Sequence, residues 1–465
     1  MLKMFETNQP DSPKSRFEVR GNGIHFISLG CPRNLVDSEV MLGLLLERGY
    51  QPEEDPTNAD VVVINTCGFL KESRKESMDT VESVLKNRKK GARVIVAGCM
   101  VQSHSDEIKS KLPEVDYFLG SGDVEGIIKA VETDASGSMV TQAKSYLEAG
   151  EVPRQLSTPG HYAYVKIAEG CRKRCSYCII PDIKGPLKSK SVEQILKEFR
   201  TLISRGVQEI ILIAQDLGDW GKDLGYKKSS GLVHLLKELL KEEGDFWIRL
   251  LYLYPDEITD ELIEVMQSDE RVCRYLDMPI QHINDRVLKS MRRATNQNQI
   301  IHSINQLRTK LPEVVIRTSL IVGFPGETDE EFEELCQFVE ESELDNVGIF
   351  KYSREPGSHA DTLEGHIEEE VKQQRFDRLM SIQKEVVESI NEGYLDDQLE
   401  VIIEGYHPDS DLLMRGRHRG QSPEIDGQVI INDGLELVDA FKKRYLVEIT
   451  GSAGYDLLGR VVQID

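Results

Sequence analysis

The run Glu169-Gly170-Cys171-Arg172-Lys173-Arg174-Cys175-Ser176-Tyr177-Cys178 constrains this chain more than any other stretch. It sets three thiols at C-x3-C-x2-C spacing after a strand-like segment, residues 162–168. Thiolates this close on one loop can grip a single iron–sulfur cluster, because sulfur suits iron and all three reach corners of one cube. A cube has four irons, so one corner stays open. An open coordination position marks a catalytic metal site. A zinc site lacking its fourth ligand, or chance clustering, is the alternative.

No fourth ligand is evident among the cysteines outside the motifs. If residues 273–282 form a strand whose far end faces the cluster, a rise of roughly 3.3 Å per residue puts Cys273 about 25 Å away. Cys336 falls with Phe332, Leu335 and Val339 at helical spacing, an apolar stripe. Both read as core.

The run resembles the cluster motif of the radical S-adenosylmethionine (SAM) enzymes. The resemblance implies that the methionine end of SAM chelates the open iron. It further implies reductive cleavage to a 5′-deoxyadenosyl radical, which removes hydrogen from an unactivated carbon. Tyr177, just before the third cysteine, matches the aromatic residue near which adenine packs in that superfamily.

Upstream, residues 25–29 read as a strand ending in Gly30-Cys31-Pro32, residues 61–65 as one ending in Thr66-Cys67-Gly68, and residues 93–97 as one ending in Gly98-Cys99-Met100. Helices separate them. In a parallel doubly wound sheet those strand ends share one edge, and ligands sit in the crevice beyond it. Each cysteine alone is more often a small buried residue. The same placement three times, with glycine beside each, predicts a second cluster held by Cys31, Cys67 and Cys99. The segments 30–39 and 65–69 resemble the amino-terminal domain of the methylthiotransferases, which carry two such clusters.

The remaining chain is organised in the same terms. A length of 465 residues predicts three domains: after a polar tail at 1–22, a cluster domain at 23–148, a (β/α) unit at 149–393 and a small β-barrel at 394–465. From residue 162 six strands alternate with helices, two of them opened by the capping boxes Ser191-x-x-Gln194 and Thr328-x-x-Glu331. This pattern predicts an α/β fold with an open six-stranded barrel whose chemistry lies at the strands' carboxyl ends. Polar groups gather there: Gln215 and Asp216, Tyr252 and Tyr254, Gln281 and His282, and Gly323. Gln215, Gln281 and Gly323, with Tyr177, are the candidates for holding SAM. His282 either positions substrate or hydrogen-bonds a neighbouring loop.

The last seventy residues resemble the TRAM domain that ends methylthiotransferases. Such domains usually grip RNA, but residues 396–465 hold 14 Asp and Glu against 7 Lys and Arg, a net of −7. The whole chain is at −23. Acidity of this kind disfavours phosphate backbones and favours a basic partner. Arg249-Leu-Leu-Tyr-Leu-Tyr-Pro255, Asp277-Met-Pro-Ile-Gln-His282 and Pro423-Glu-Ile-Asp-Gly427 look like the methylthiotransferase branch that modifies an aspartate of ribosomal protein S12. At Cys31-Pro-Arg-Asn34 the transfer-RNA branch is expected to show Cys-Gln-Met-Asn. The resemblance implies two 4Fe-4S clusters, SAM, a reductase that supplies electrons, and S12, free or in the small subunit, as partner. Nucleic acid is not the expected substrate. A polar start and the lack of a long apolar run point to the cytoplasm. A transfer-RNA adenosine methylthiotransferase and an iron–sulfur carrier without SAM chemistry are the alternative functions.

Overall fold

The computed structural model describes residues 21–141, 145–149 and 152–462; most of the polar tail at 1–22 lies outside the described residues. The amino-terminal domain is a six-stranded parallel sheet in the order β2-β1-β3-β4-β5-β6, formed by Gly23–Ser28 (β1), Gln51–Pro52 (β2), Val61–Thr66 (β3), Arg93–Gly98 (β4), Tyr117–Gly120 (β5) and Gly137–Met139 (β6). Helices Pro32–Leu46 (α1), Lys71–Asn87 (α2), Cys99–Lys111 (α3) and Ile127–Glu132 (α4) connect or flank the strands. β3 is buried at every position, as a continuous Val-Val-Val-Ile run covered on both faces must be.

The second sheet runs β14-β13-β12-β11-β10-β7, every pairing parallel. Its strands are Tyr162–Lys166 (β7), Glu209–Ile213 (β10), Trp247–Leu250 (β11), Val272–Asp277 (β12), Val315–Val322 (β13) and Asn346–Lys351 (β14). Ala168–Glu169 (β8) and Lys188–Ser189 (β9) pair separately, flanking the cysteine loop. Around the outside lie Ile180–Lys184 (α5), Val192–Ser204 (α6), Ser230–Leu239 (α7), Asp260–Ser268 (α8), Asp285–Ser290 (α9), Gln297–Lys310 (α10), Asp329–Ser342 (α11) and Glu369–Glu392 (α12). Both expected capping boxes are present, and Asn296 with Gln299 forms a third at α10. The outward strand residues pack with the helices into the largest apolar cluster, which holds Cys336. Cys273 is buried on the inward face beside Tyr275 and Trp247, so both spare cysteines are core.

The carboxyl-terminal domain is a closed five-stranded barrel of Gln398–His407 (β15), Ser410–His418 (β16), Val429–Asp433 (β17), Lys443–Ala453 (β18) and Asp456–Val461 (β19). It seals the lower end of the open barrel. Fully buried Glu209 at the start of β10 accepts from Arg249 at 2.6 Å and from Arg417 of β16 at 2.8 Å, and Ile402 of β15 joins the inward apolar cluster. The upper end is closed by α1, whose Val36 reaches the same cluster. Three domains thus enclose one barrel interior. Among the described residues no helix is long and apolar enough to cross a membrane.

Candidate active site between two cysteine trios

Each strand of the amino-terminal sheet that ends in a cysteine delivers it to one edge. Gly30 has φ +90, and a Cβ placed on it would lie 2.7 Å from Cys67 Cβ and 3.0 Å from its Sγ, so only glycine allows the first and second loops to touch. Asn34, in the first turn of α1, laces the loops together. Its Nδ2 donates to Leu29 O at 3.1 Å and to Thr66 O at 3.0 Å, and its Oδ1 lies 3.6 Å from Cys99 Sγ. Asn65 returns the contact by donating to Asn34 O at 2.8 Å. Burial raises the Cys99 thiol to about 12 and raises Cys67. At Cys31 the opposing effect of burial is outweighed by Arg33 and the Asn34 amide, and the thiol is lowered.

The second trio is local. Gly170, at φ +80, leaves no room for a Cβ, which would meet Pro186 O at 2.1 Å. Cys171 N donates to Gly185 O at 3.3 Å, Ser176 N to Met291 O at 2.9 Å and Ser176 Oγ to Ser290 O at 2.8 Å. Lys173, inside the loop, is anchored below it, 3.4 Å from Asp216, 3.3 Å from Asp256 and 3.6 Å from Glu257. Lys222 shares buried Glu257 with it, at 2.7 Å. Arg293 approaches Cys175 Sγ at 3.9 Å and stacks 4.0 Å from the Tyr254 ring. Burial raises Cys171 to about 11 and Cys178 to about 12.

Cys171, Cys175 and Cys178 open into a cavity of about 320 Å³. Tyr177, Gln215, Gln281, Tyr252 and Tyr254 line it from the barrel rim, and Arg33, Phe69 and Leu70 from the amino-terminal domain. Tyr252 and Gln281 adopt φ +65 and +73, left-handed conformations that non-glycine residues hold only where surrounding structure imposes them. Gly323 stands apart. It is not part of this wall, and a Cβ there would meet Lys372 Cγ of α12 at 2.3 Å, which accounts for the glycine by packing. His282 is fully buried, its Nδ1 accepting from Asn284 N at 3.0 Å; the loop-bonding role is the one observed, and burial depresses its pKa to about 3. The barrel acids divide likewise. Glu424 accepts from Tyr162 at 2.9 Å and Asp426 from Tyr275 at 2.7 Å, whereas Asp409 and Asp411 face solvent.

The donor chemistry fits a cluster with one free corner. All six thiols are unbridged, and each trio is soft, enclosed and without a fourth cysteine nearby. For a polar cofactor the fit rests on Gln215, whose Oε1 is buried in the cavity wall without a partner.

Family comparisons agree with this geometry. Residues 165–339 match the radical SAM superfamily, 23–120 the family described as "Uncharacterized protein family UPF0004", and 397–462 the TRAM domain. A solved radical SAM methyltransferase, TsrM from Kitasatospora setae, shares the fold at TM-score 0.54 and 13% identity, over 73% of this chain and 77% of that one. The protein is a radical SAM enzyme, a class that works with one 4Fe-4S cluster and SAM. Curated relatives narrow the class. The "Ribosomal protein uS12 methylthiotransferase RimO" of Protochlamydia amoebophila is 62% identical, over 97% of this chain and 95% of the relative. Proteins of the same name from Chlamydia caviae and Bdellovibrio bacteriovorus are 56% and 45% identical, over 95% and 94% of this chain and 96% and 97% of theirs. This chain belongs to the uS12 methylthiotransferase family.

Proposed function

We propose that this enzyme adds a methylthio group to the β-carbon of an aspartate in ribosomal protein S12, using SAM and two 4Fe-4S clusters. The observation that carries the reading is a cavity lined on one side by Cys171, Cys175 and Cys178 and on the other by Arg33 and Phe69, each two residues after a cysteine of the second trio, in a chain 62% identical to a protein named for that modification. Cys171, Cys175 and Cys178 would hold the cluster that binds SAM, and Cys31, Cys67 and Cys99 the second. When bound, these groups supply the 5′-deoxyadenosyl radical that takes hydrogen and the sulfur that replaces it.

The chain's own residues do the positioning. Tyr177 would offer a ring face for the adenosyl moiety, Tyr252 and Tyr254, whose rings carry Arg33 and Arg293, would frame it, and Gln215 Oε1 and Gln281 offer polar contacts. Gly323 would act at a distance, by letting α12 pack against the rim. Phe69 and Leu70 close the cavity from the amino-terminal side and limit water where a radical would be quenched. Electrons would come from a separate reductase, and the reaction would run in the cytoplasm, where the thiols stay reduced.

Exposed acids of the terminal barrel, Asp409 and Asp411 among them, would draw a basic ribosomal protein in preference to nucleic acid. The test is mass spectrometry of ribosomal proteins from a strain lacking this chain. Loss of a methylthio addition on S12 is expected; an unchanged S12 together with loss of a methylthio group from transfer RNA would overturn the reading.

A further inference from the structure

The cavity between the trios is lined by two cationic side chains, Arg33 and Lys351. Lys351 is turned outward, its ammonium 2.5 Å from Glu369 and 3.0 Å from Gln373 of α12. Arg33 is turned inward. It lies two residues after Cys31 and crosses to the radical SAM domain, where Nη1 donates to Ala214 O at 2.7 Å and the guanidinium stacks 4.5 Å from the Tyr252 ring. Its charge reaches a thiol of each trio, Cys31 and Cys178, and opposes the effect of burial at both. Arg33 therefore stands between the two sites.

Arg33 also lacks a carboxylate partner. Of the other enclosed arginines, Arg249 and Arg417 are matched to Glu209, Arg317 to Asp277 and Arg375 to Glu327, while Arg293, which among the described residues also has no carboxylate, sits at Cys175 and does not line the cavity. Among the described residues no carboxylate forms an ion pair with Arg33. The carboxylate in the cavity wall, Glu355, is taken by Arg74 and by Ser353 at 2.6 Å. A guanidinium carries five N–H donors in a planar fork, and Ala214 O with the Cys31 thiol does not use them all. An enclosed guanidinium with donors to spare and no carboxylate beside it makes its cavity suited to an anionic ligand.

We propose that Arg33 binds a carboxylate in this cavity, and that this is the side-chain carboxylate of the substrate aspartate. The assignment of the substrate rests on the function proposed above. In aspartate the carboxylate carbon is bonded directly to the β-carbon, so a bidentate grip on the former fixes the latter between the two trios. A guanidinium fork also rejects asparagine, whose amide offers one acceptor and places a donor against a donor. Arg33 is thereby the residue that determines specificity for an acid over its amide.

The methionine end of SAM is the other carboxylate that could reach this cavity, and the test separates the two. Binding is measured by calorimetry on cluster-loaded enzyme for three ligands: SAM, purified S12, and S12 with the modified aspartate changed to asparagine. The wild type should prefer the aspartate form by about tenfold or more, the range of a charged hydrogen-bonded pair. Arg33→Gln should erase that preference, and Arg33→Lys, which keeps charge without the fork, should retain part of it. S12 affinity should fall further than SAM affinity in both variants. Iron content and the electron paramagnetic resonance of each cluster report whether the sites remain assembled. If Arg33→Gln does not load, the Arg33→Lys comparison of aspartate and asparagine forms decides.

Preservation of the full preference, or a larger loss for SAM than for S12, overturns the inference. A wild type that binds and modifies S12 while its variants keep the preference sinks this inference alone. A wild type that neither binds nor modifies S12 sinks the proposed function as well.

Discussion

Cys171, Cys175 and Cys178 lie within eight residues of one loop, whereas Cys31, Cys67 and Cys99 end three separate strands. The loop is held by its own backbone, through Cys171 to Gly185 and Ser176 to Met291. The dispersed trio depends on a buried side chain, Asn34, that touches all three loops at once. One site is built by local spacing and the other by topology, so the two should fail differently. Damage to sheet packing should release the dispersed trio first, while the loop trio should outlast it.

The largest effects separate the two sites outright. Cys175→Ala and Cys67→Ala should each lower iron from about eight to about four per chain. Cys175→Ala should abolish 5′-deoxyadenosine formation, whereas Cys67→Ala should keep it and stop methylthio transfer. Normal transfer by the Cys67→Ala protein would mean that the dispersed trio is not the sulfur site. Next in size is Asn34→Ala. It leaves two enclosed carbonyls unmet and should cost roughly 2–4 kcal/mol, against about 1 kcal/mol for Ser176→Ala, which removes one hydrogen bond at the loop trio. Denaturant melts give the energies. Iron analysis should show the Asn34 variant losing metal from the dispersed site alone, and equal losses from both sites would contradict the comparison.

The same contrast explains what was legible. A C-x3-C-x2-C loop announces itself, and three strand ends with cysteines become a site once a parallel sheet is inferred; the alternation of apolar runs with amphipathic helices supports that inference. Detail at the rim was hidden. β11 stops at Leu250, where the apolar run 246–253 implies a longer strand, because Tyr252 turns left-handed at the cavity, and β12 spans Val272–Asp277 where the pattern implies 275–281. β16 shows no clear apolar alternation in sequence, since Arg417 and His418 are buried along it, Arg417 against Glu209 of the central barrel. Asn34, Arg33 and Arg293 carry no mark of their roles, since an arginine's partners come from elements distant in the chain. The signal nearest to hand was the Pro-Arg-Asn that follows Cys31.

Acid should act on the seam between the trios. Glu169, just before the loop, resists protonation despite burial because Lys166 and Lys184 lie at 3.2 and 2.8 Å and Ser145 donates at 2.8 Å; its pKa is depressed to about 2. The same lysines reach Asp37 of α1, so this knot joins the cluster domain to the barrel. A carboxyl whose folded pKa lies below its unfolded value stabilises above the unfolded value and loses that contribution as pH falls through the folded one. The stability it adds should therefore be complete above about pH 4.5 and should drain away toward pH 2. The loss should be on the order of 2–3 kcal/mol. Glu169→Gln should remove this slope from a plot of unfolding free energy against pH.

The smallest effect concerns the arginines, one at each trio. Arg293 is buried, its Nη1 is 3.9 Å from Cys175 Sγ, and Nη2 donates to Pro279 O. Reduction adds negative charge to a cluster, and a nearby cation favours the reduced form, so hydrogen bonds and charge at the sulfurs help set the potential. Arg293→Gln should shift the loop cluster to a more negative potential by on the order of 60 mV, the one-electron equivalent of a tenfold change. Arg293→Lys should shift it less. The dispersed cluster should hold its potential, because its own cation is Arg33, at Cys31. A redox titration followed by electron paramagnetic resonance reads both signals in one sample. Equal movement of the two would mean that the trios share one electrostatic environment and that their separate construction does not carry through to their chemistry.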